Sequence, residues 1–308
     1  MAEDERKGGP PKRSQSAGRG RSGRSGRSAA APSSAPGISA DGERIAKRLA
    51  RAGVASRREA ERLIEEGRVR LNGRRLDTPA VTVTEADRIE VDGHLVGAPE
   101  PPRVWRYHKP AGLVTTARDE QGRRTVFDTL PEGMPRVVSV GRLDLNSEGL
   151  LLLTNDGALK RRLELPSTGW LRRYRVRVRG APRAETLAPL ERGIEVDGEH
   201  FQPMSVSLDR QQGANAWLTM GLREGRNREI RRALLAVGLE VNRLIRISYG
   251  PFQLGDLTAG AVEEIRAKVL SDQLGLPRRD GPVRGRDQET AARKAPEADP
   301  GPRRGGRR

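Results

Sequence analysis

The sequence predicts an α+β protein with a small helix-helix-sheet domain, followed by a larger domain built on a mainly antiparallel sheet with flanking helices. Three observations lead to this prediction. Apolar residues at helical spacing give way to two-residue alternation near residue 69, a proline-rich segment at 97–102 interrupts the periodicity, and both patterns recur over 103–275. The chain of 308 residues is long enough for two domains, each with its own core.

Residues 43–96 are predicted to form two short helices and a small sheet. Apolar side chains have helical spacing over 45–64, and Ser56 with Glu59 has the spacing of a capping box that begins the second helix. Beyond this helix the period changes to that of a strand, and Asn72-Gly73 is typical of a tight hairpin turn. A linker is predicted over 97–102, where prolines remove the periodicity.

The polar faces of this first domain are rich in arginine and have few acids to neutralise it, which is typical of a nucleic-acid-binding surface. An ordinary solvated face would mix both signs of charge more evenly. The residues predicted to bind RNA are Arg48, Arg57, Arg58, Arg62, Arg68 and Arg70.

The second domain, residues 103–275, alternates strand-like and helix-like segments. An apolar strand over 137–140 leads into a polar loop around Asp144, and a buried apolar run over 150–153 follows. Arginines alternate with tyrosine and valine over 173–179, which predicts a strand with one buried and one basic face. Further elements are predicted over 104–107, 216–220, 230–239 and 244–247.

The charge of the chain favours a polyanionic partner. Lysine and arginine number 58 against 41 acids, which gives a net charge of +17 and an isoelectric point near 11.2.

With no cysteine, three scattered histidines and no glycine-rich cofactor loop, we expect neither a metal nor a cofactor. No stretch is apolar enough to span a membrane, and no secretory signal is recognised, so a cytoplasmic monomer that does not bind membranes is expected.

The two ends of the chain, 1–42 and 276–308, are rich in glycine, serine, arginine and proline and are predicted to be disordered basic tails. Two interpretations remain open for them. They are either solubilising extensions or arms that bind RNA without sequence specificity.

Asp144 is the candidate catalytic residue. Its polar loop lies between two apolar strands, which is a rigid setting for a single carboxylate at a cleft. Taken alone, an aspartate close to asparagine and serine favours an ordinary turn over a catalytic residue. Three further segments change this balance.

The segments 141–144 and 149–157 together resemble the central motif of the pseudouridine synthases, and 172–176 resembles the segment with that family's active-site tyrosine. The runs 224–232 and 241–252 are similar to its C-terminal motifs. Residues 52–60 resemble the S-four-type RNA-binding domain. With this domain and Lys109-Pro110-Ala111-Gly112 included, the resemblance spans about residues 43–270. The branch it is most similar to modifies bacterial ribosomal RNA. The motifs are Gly141-Arg142-Leu143-Asp144, Arg172-Arg173-Tyr174-Arg175-Val176 and Glu224-Gly225-Arg226-Asn227-Arg228-Glu229-Ile230-Arg231-Arg232.

The resemblance implies that uridine in ribosomal RNA is isomerised to pseudouridine without a cofactor. Asp144 would supply an ionised carboxylate, either as a nucleophile or as a base at the sugar. Arg231 has the family position that pairs with the aspartate, and Tyr174 would stack on the extracted base. Leu244 would pack against the base, and Arg142 would enter the RNA stack or bind a flanking phosphate.

Each of these assignments has a plainer alternative. Arg231 would be a phosphate-binding helix-surface arginine, and Tyr174 and Leu244 would be core residues. The sequence also departs from the usual family pattern at Ser147, at Leu165-Pro166 and at Arg173. These departures affect the expected substrate site more than the reaction.

Two other function classes compete with the synthase. A ribosomal-RNA-binding or assembly protein on an inactive synthase scaffold would bind RNA and do no chemistry. A nuclease commonly needs clustered carboxylates for metal, and a glycosidase needs a second acid, which this loop does not provide. Within the synthases, the run at 226–232 resembles the branch that acts on large-subunit (23S) RNA more than the small-subunit (16S) branch, which stays as the alternative.

Overall fold

The computed structural model describes residues 42–276, so the predictions about the two tails fall almost entirely outside the described residues. The first region consists of two short helices and two small sheets. The elements are β1 (Glu43–Arg44), α1 (Ile45–Arg51), α2 (Arg57–Glu65), β2 (Val69–Leu71), β3 (Arg74–Arg75), β4 (Thr82–Val83), β5 (Ile89–Val91) and β6 (His94–Leu95). One sheet pairs β1 with β4, and the other has the antiparallel order β3-β2-β5-β6.

Helix α2 begins at the capping box that the sequence predicts. The N–H of Glu59 donates to the hydroxyl of Ser56 at 3.1 Å, and the Glu59 carboxylate accepts the N–H of Ser56 at 2.7 Å. The hairpin between β2 and β3 turns at Asn72 and Gly73, both with positive φ, as an Asn-Gly turn requires. The predicted helix-helix-sheet arrangement is therefore confirmed. Its small core consists of Ile45, Ala46, Leu49, Ala55, Ala60, Ile64, Val69, Val83 and Ile89.

The second region is a nine-stranded sheet flanked by helices. The elements are β7 (Val104–Lys109), β8 (Val138–Val140), β9 (Ser147–Thr154), α3 (Gly157–Glu164), β10 (Arg172–Arg179), α4 (Ala184–Arg192), β11 (Ile194–Val196), β12 (Glu199–Phe201), β13 (Ser205–Gln212), β14 (Asn215–Leu222), α5 (Glu229–Ala236), β15 (Glu240–Tyr249), β16 (Phe252–Gln253), β17 (Val262–Glu264) and α6 (Ala267–Leu274). The main strand order of the sheet is β13-β14-β10-β15-β9-β7-β17, with β16 against β15 and β8 against β9.

The sheet is mainly antiparallel, as predicted, but one central pair is parallel. Leu244 in β15 is in register with Ser147 in β9, and Arg246 is in register with Gly149. This pair brings the middle of β15 beside the loop that carries Asp144. Two strands more than 90 residues apart in sequence thus form the centre of the sheet.

Helices cover both faces of the sheet at different places. Leu190 of α4 and Leu234 of α5 pack in one core with Val176 of β10. Leu163 of α3 and Leu270 of α6 pack in a second core around β9. Along β10, Tyr174, Val176 and Val178 are buried and the intervening arginines are exposed, so the predicted two-faced strand is confirmed. The face of β10 opposite α5 therefore carries only arginine side chains.

Candidate active site

Asp144 lies in a cleft of about 1440 Å³ on the side of the sheet that packs against α5. Its loop connects β8 to β9, and its side chain is 31% exposed. Arg142, Tyr174 and Leu244 line the same cleft, whereas Arg231 is not among the lining residues. The fold thus brings together four of the five residues that the sequence assigns to chemistry and substrate.

The backbone of the Asp144 loop is fixed by hydrogen bonds to successive carbonyl oxygens. Each carbonyl from residue 143 to residue 147 accepts at least one bond, so the loop has little freedom to move the carboxylate. The donors are Thr115 Oγ1 to Leu143 at 2.8 Å, Ser147 N to Asp144 at 3.0 Å, Gly112 N to Leu145 at 2.8 Å, Arg231 Nη2 to Asn146 at 3.0 Å and Lys109 Nζ to Ser147 at 2.8 Å.

Lys109 is a buried support for this loop. Its ammonium group donates to the carbonyls of Pro110, Leu145 and Ser147, and the side chain is 0% exposed. Burial lowers the pKa of Lys109 to about 8, although the charges of Asp144 and Glu148 oppose this shift. The sequence motif at 109–112 contained this residue, but nothing in it indicated a role beneath the loop.

Gly149 permits the close approach of the parallel strands. Its φ is +99°, and a Cβ built on it would lie 2.3 Å from the carbonyl oxygen of Arg246. The side chain of Arg246 is buried, and its Nε donates to the carbonyl of Leu150 at 2.7 Å. Any larger residue at 149 would separate β9 from β15 and displace the adjoining loop.

Two arginines lie near Asp144, and they are held differently. Nη1 of Arg228 is 3.9 Å from Oδ2 of Asp144, an ion pair with both partners partly exposed. Arg231, the expected partner, instead donates to the carbonyls of Asn146 and Val241. Burial lowers the pKa of Arg231, as does the nearby charge of Arg228, while Asp144 raises it. Arg231 thus ties the loop to β15 and acts on Asp144 through its charge at longer range.

Glu229 fixes the segment that presents Arg228. Arg228 precedes α5 in a left-handed conformation with φ of 49°. The next residue, Glu229, is buried, and its carboxyl accepts the N–H of Arg226 at 2.9 Å. Burial raises the pKa of Glu229, and the adjacent Glu224 raises it as well. A carboxyl group inside the protein therefore closes the turn that directs Arg228 toward the cleft.

Tyr174 and Leu244 provide the apolar wall of the cleft. They belong to neighbouring strands, where Tyr174 pairs with Arg246 and Leu244 pairs with Val176. Both are nearly buried, and both also belong to the main core. The hydroxyl of Tyr174 makes no hydrogen bond with the residues that the structure describes, and it is therefore open to a ligand. Arg142 is exposed at the rim and has no charged partner within the described region.

Two further polar groups of the cleft escaped the sequence analysis. The hydroxyl of Ser147 and Nη2 of Arg246 are buried without a hydrogen-bond partner, and both residues line the cleft. Buried donors are normally satisfied, so these atoms are suited to a polar ligand. In the sequence, Ser147 stood out only as a departure from a family pattern, and Arg246 only as part of a strand.

The arginines predicted to bind RNA in the first region differ in availability. Arg68 is paired with Asp92 and Glu66, and Arg62 lies 3.5 Å from Glu66. The other four, Arg48, Arg57, Arg58 and Arg70, make no ion pair with any residue from 42 to 276.

Within residues 42–276, no group of three or more histidine, aspartate or glutamate side chains is arranged to hold a metal ion. No helix among these residues is both long and apolar enough to cross a membrane.

Comparison with known proteins identifies two matching family models. The model described as RNA pseudouridylate synthase matches residues 103–236, which contain Asp144, Tyr174 and Arg231. The S4 domain matches residues 43–89.

Several curated proteins are similar over most of their length. An uncharacterized RNA pseudouridine synthase of Rickettsia felis is 48% identical over 229 residues, which cover 74% of this chain and 99% of that protein. The ribosomal large subunit pseudouridine synthase B of Yersinia pestis is 44% identical over 219 residues, which cover 69% of each chain. The protein of the same description from Salmonella typhimurium is 44% identical over 218 residues, covering 69% of this chain and 75% of its own.

Among solved structures, a crystal structure of pseudouridylate synthase superposes with a TM-score of 0.53 at 23% identity. The match covers 73% of this chain and 97% of that one, and it supports the fold.

Proposed function

The chain belongs to the RNA pseudouridine synthases, a family of isomerases, and we propose that it converts a uridine of ribosomal RNA to pseudouridine with Asp144 as the catalytic carboxylate. The family and the S4-type RNA-binding domain are those expected from the sequence motifs. The large-subunit (23S) RNA is the proposed substrate, since relatives named for that subunit are 44% identical to this chain.

The observation that carries the assignment is the fixed position of Asp144 in the cleft. Five consecutive carbonyls of its loop are hydrogen-bonded, while the carboxylate itself remains partly exposed to the cleft. A group held in this way needs no reorganisation before it meets a substrate. The apolar wall of Tyr174 and Leu244 beside it has the character of a site for a flat base.

The reaction is balanced without an external reagent. The bond from the ribose C1′ to N1 of uracil breaks, the base turns, and a bond from C1′ to C5 forms. The proton on C5 is released to water, and N1 gains a proton. Asp144 must be ionised whether it acts as a nucleophile or as a base at the sugar. Arg228 lies 3.9 Å from the carboxylate, and Arg231 and Lys109 hold the backbone of its loop.

The substrate has to present its uridine outside the base stack. We propose that the exposed Arg142 binds the flanking phosphate or fills the gap, while Tyr174 stacks on the extracted base. The free arginines of the S4-type domain, such as Arg57 and Arg58, hold the RNA by its backbone. We expect the reaction to take place in the cytoplasm, where ribosomal RNA is assembled.

Tritium release from C5 of labelled uridine tests this assignment. Purified protein is incubated with 23S or 16S transcripts, and Asp144→Asn is compared with the wild type. We expect release from 23S RNA by the wild type and none by the variant, with RNA affinity retained by both. No release from either transcript by the wild type would favour a non-catalytic RNA-binding protein. Release from 16S RNA alone would reverse the choice of subunit.

A further inference from the structure

A row of arginines occupies the open face of the sheet, opposite the cleft. In β10, Tyr174 and Val178 face the core that holds α4 and α5. Because successive side chains of a strand point to opposite faces, the alternate residues lie on the other side. All of these alternate residues are exposed, and they are Arg173, Arg175, Arg177 and Arg179.

Neighbouring strands extend this basic surface. Trp217 of β14 is the register partner of Arg177, and Arg243 of β15 is the partner of Arg177 on its other side. Arg210 of β13 pairs in turn with Trp217. The guanidinium of Arg175 lies over the Trp217 ring at 5.0 Å from its centroid. Six arginines and one indole therefore lie on a single face.

Few of these charges are neutralised. Arg243 is paired with Glu148 at 2.8 Å, and Arg175 is 3.9 Å from Asp209. The side chains of the other four arginines make no ion pair or hydrogen bond with residues 42–276. Like charges on one sheet face repel each other, and an arginine at every second residue of a strand recurs about every 7 Å. This repulsion is relieved when a polyanion binds.

We propose that this surface, which we call the reverse basic face, binds the phosphate backbone of RNA outside the cleft. It consists of Arg173, Arg175, Arg177, Arg179, Arg210 and Trp217. None of these residues lines the cleft, so the surface is separate from the site of the target uridine. We choose RNA as the partner because the chain belongs to a family that acts on RNA, and because a regular row of mostly unpaired guanidinium groups complements a chain of phosphates.

The geometry favours phosphate over base recognition. Arg175 already covers the ring of Trp217, so the indole fixes the guanidinium by a cation–π contact and has little free surface for stacking. The reverse basic face is thus expected to add affinity that is independent of sequence, for RNA that extends beyond the cleft.

A charge-matched pair of full-length variants tests the proposal. Arg175→Gln/Arg177→Gln/Arg179→Gln removes three charges from the reverse basic face. The control, Arg161→Gln/Arg192→Gln/Lys268→Gln, removes three exposed charges from helices α3, α4 and α6. Binding is measured across a range of salt concentrations, with a long 23S transcript and with a short hairpin that fills only the cleft.

For the long transcript, we expect the Kd of the face variant to rise about tenfold and the slope of log Kd against log salt to fall by about 2. The hairpin should bind as it does to the wild type, and turnover at saturating RNA should not change. The control should differ from the wild type by less than about twofold. An Arg175→Lys/Arg177→Lys/Arg179→Lys variant keeps the charge and should bind the long transcript nearly normally.

Equal losses of affinity for the long transcript in the face variant and the control would overturn the proposal, because any exposed basic residue would then contribute as much to RNA binding. Equal losses on the hairpin and the long transcript would also overturn it, since the arginines would then act through the cleft or the fold. The proposal would also be overturned if the face variant bound RNA like the wild type but no longer bound vesicles of phosphatidylglycerol. If the wild type binds RNA but releases no tritium, the proposed reaction fails while the binding result still decides this proposal.

Discussion

The ammonium nitrogen of Lys109 lies 2.8 Å from the carbonyl oxygen of Ser147, inside the protein and directly after the loop that carries Asp144. The same nitrogen also binds the carbonyl of Leu145 at 3.2 Å. A buried lysine usually pairs with a carboxylate, but this one holds backbone. Its position makes the geometry of the Asp144 loop depend on a side chain that lines no part of the cleft.

Replacing Lys109 with methionine should destabilise the protein and slow the reaction. The change leaves buried carbonyls without a donor, and we expect the free energy of unfolding to fall by about 2–4 kcal/mol. Displacement of Asp144 should lower the single-turnover rate at least about tenfold. Urea unfolding and rapid-quench assays measure the two effects. Lys268→Met, on the exposed surface of α6, is the control and should change stability by less than about 0.5 kcal/mol. A fully active Lys109→Met protein would contradict the supporting role.

The stability contributed by Lys109 should depend on pH. Its pKa is about 8 in the folded protein against 10.5 ordinarily, so the unfolded chain binds the proton more tightly. The contribution is therefore full above pH 10.5 and is lost as pH falls through 8. The stability of the wild type relative to Lys109→Met should rise between pH 8 and pH 10.5, as measured by urea unfolding at each pH. A stability difference between the two proteins that does not change over this range would show that the pKa of Lys109 is not lowered in the folded protein.

The two arginines near Asp144 should respond differently to substitution. Arg231→Gln removes donors to the carbonyls of Asn146 and Val241, and should lower the free energy of unfolding by about 1–3 kcal/mol. Arg228→Gln breaks a partly exposed pair worth about 0–1 kcal/mol and removes a charge that disfavours the ionised Arg231. Its stability should therefore be unchanged or slightly higher.

Activity separates these variants as well. We expect the single-turnover rate to fall at least about tenfold for Arg231→Gln, because the loop loses its tie to β15, and by less than about fivefold for Arg228→Gln. Thermal unfolding and single-turnover tritium release on the same preparations check both values. The reverse order of stabilities would mean that Arg228 is the structural residue.

Gly149→Ala tests the parallel pair of β9 and β15. The new methyl group would lie 2.3 Å from the carbonyl oxygen of Arg246, at a φ of +99° that alanine strongly disfavours. We expect a loss of about 3 kcal/mol or more in the free energy of unfolding. Gly97→Ala is the matched control, because no atom lies within 4 Å of its Cβ position. Chemical denaturation of the two variants gives the comparison. Equal stability would mean that the two strands can separate without cost.

Much of the fold could be predicted from local patterns. The capping box at Ser56 and Glu59, the Asn72-Gly73 turn and the two-faced strand around Tyr174 all depend on residues close together in the chain. The spacing of apolar residues and the residue types at turns encode such features, and they can be predicted without knowing the rest of the structure. The location of Asp144 between two apolar strands was predictable for the same reason.

The sequence by itself determined the composition of the two regions, the family motifs and the acid at their centre. Only the tertiary structure decided that Arg228, rather than Arg231, lies within 4.0 Å of Asp144 and that Lys109 supports the loop from below. It also placed the arginines of β10 on the open face away from the cleft. The contacts of Arg228 with Asp144 and of Lys109 with the loop join residues 36 or more positions apart. They depend on how β9 and β15 pair and on how the core packs. No local period encodes such distances, because packing between distant segments sets them.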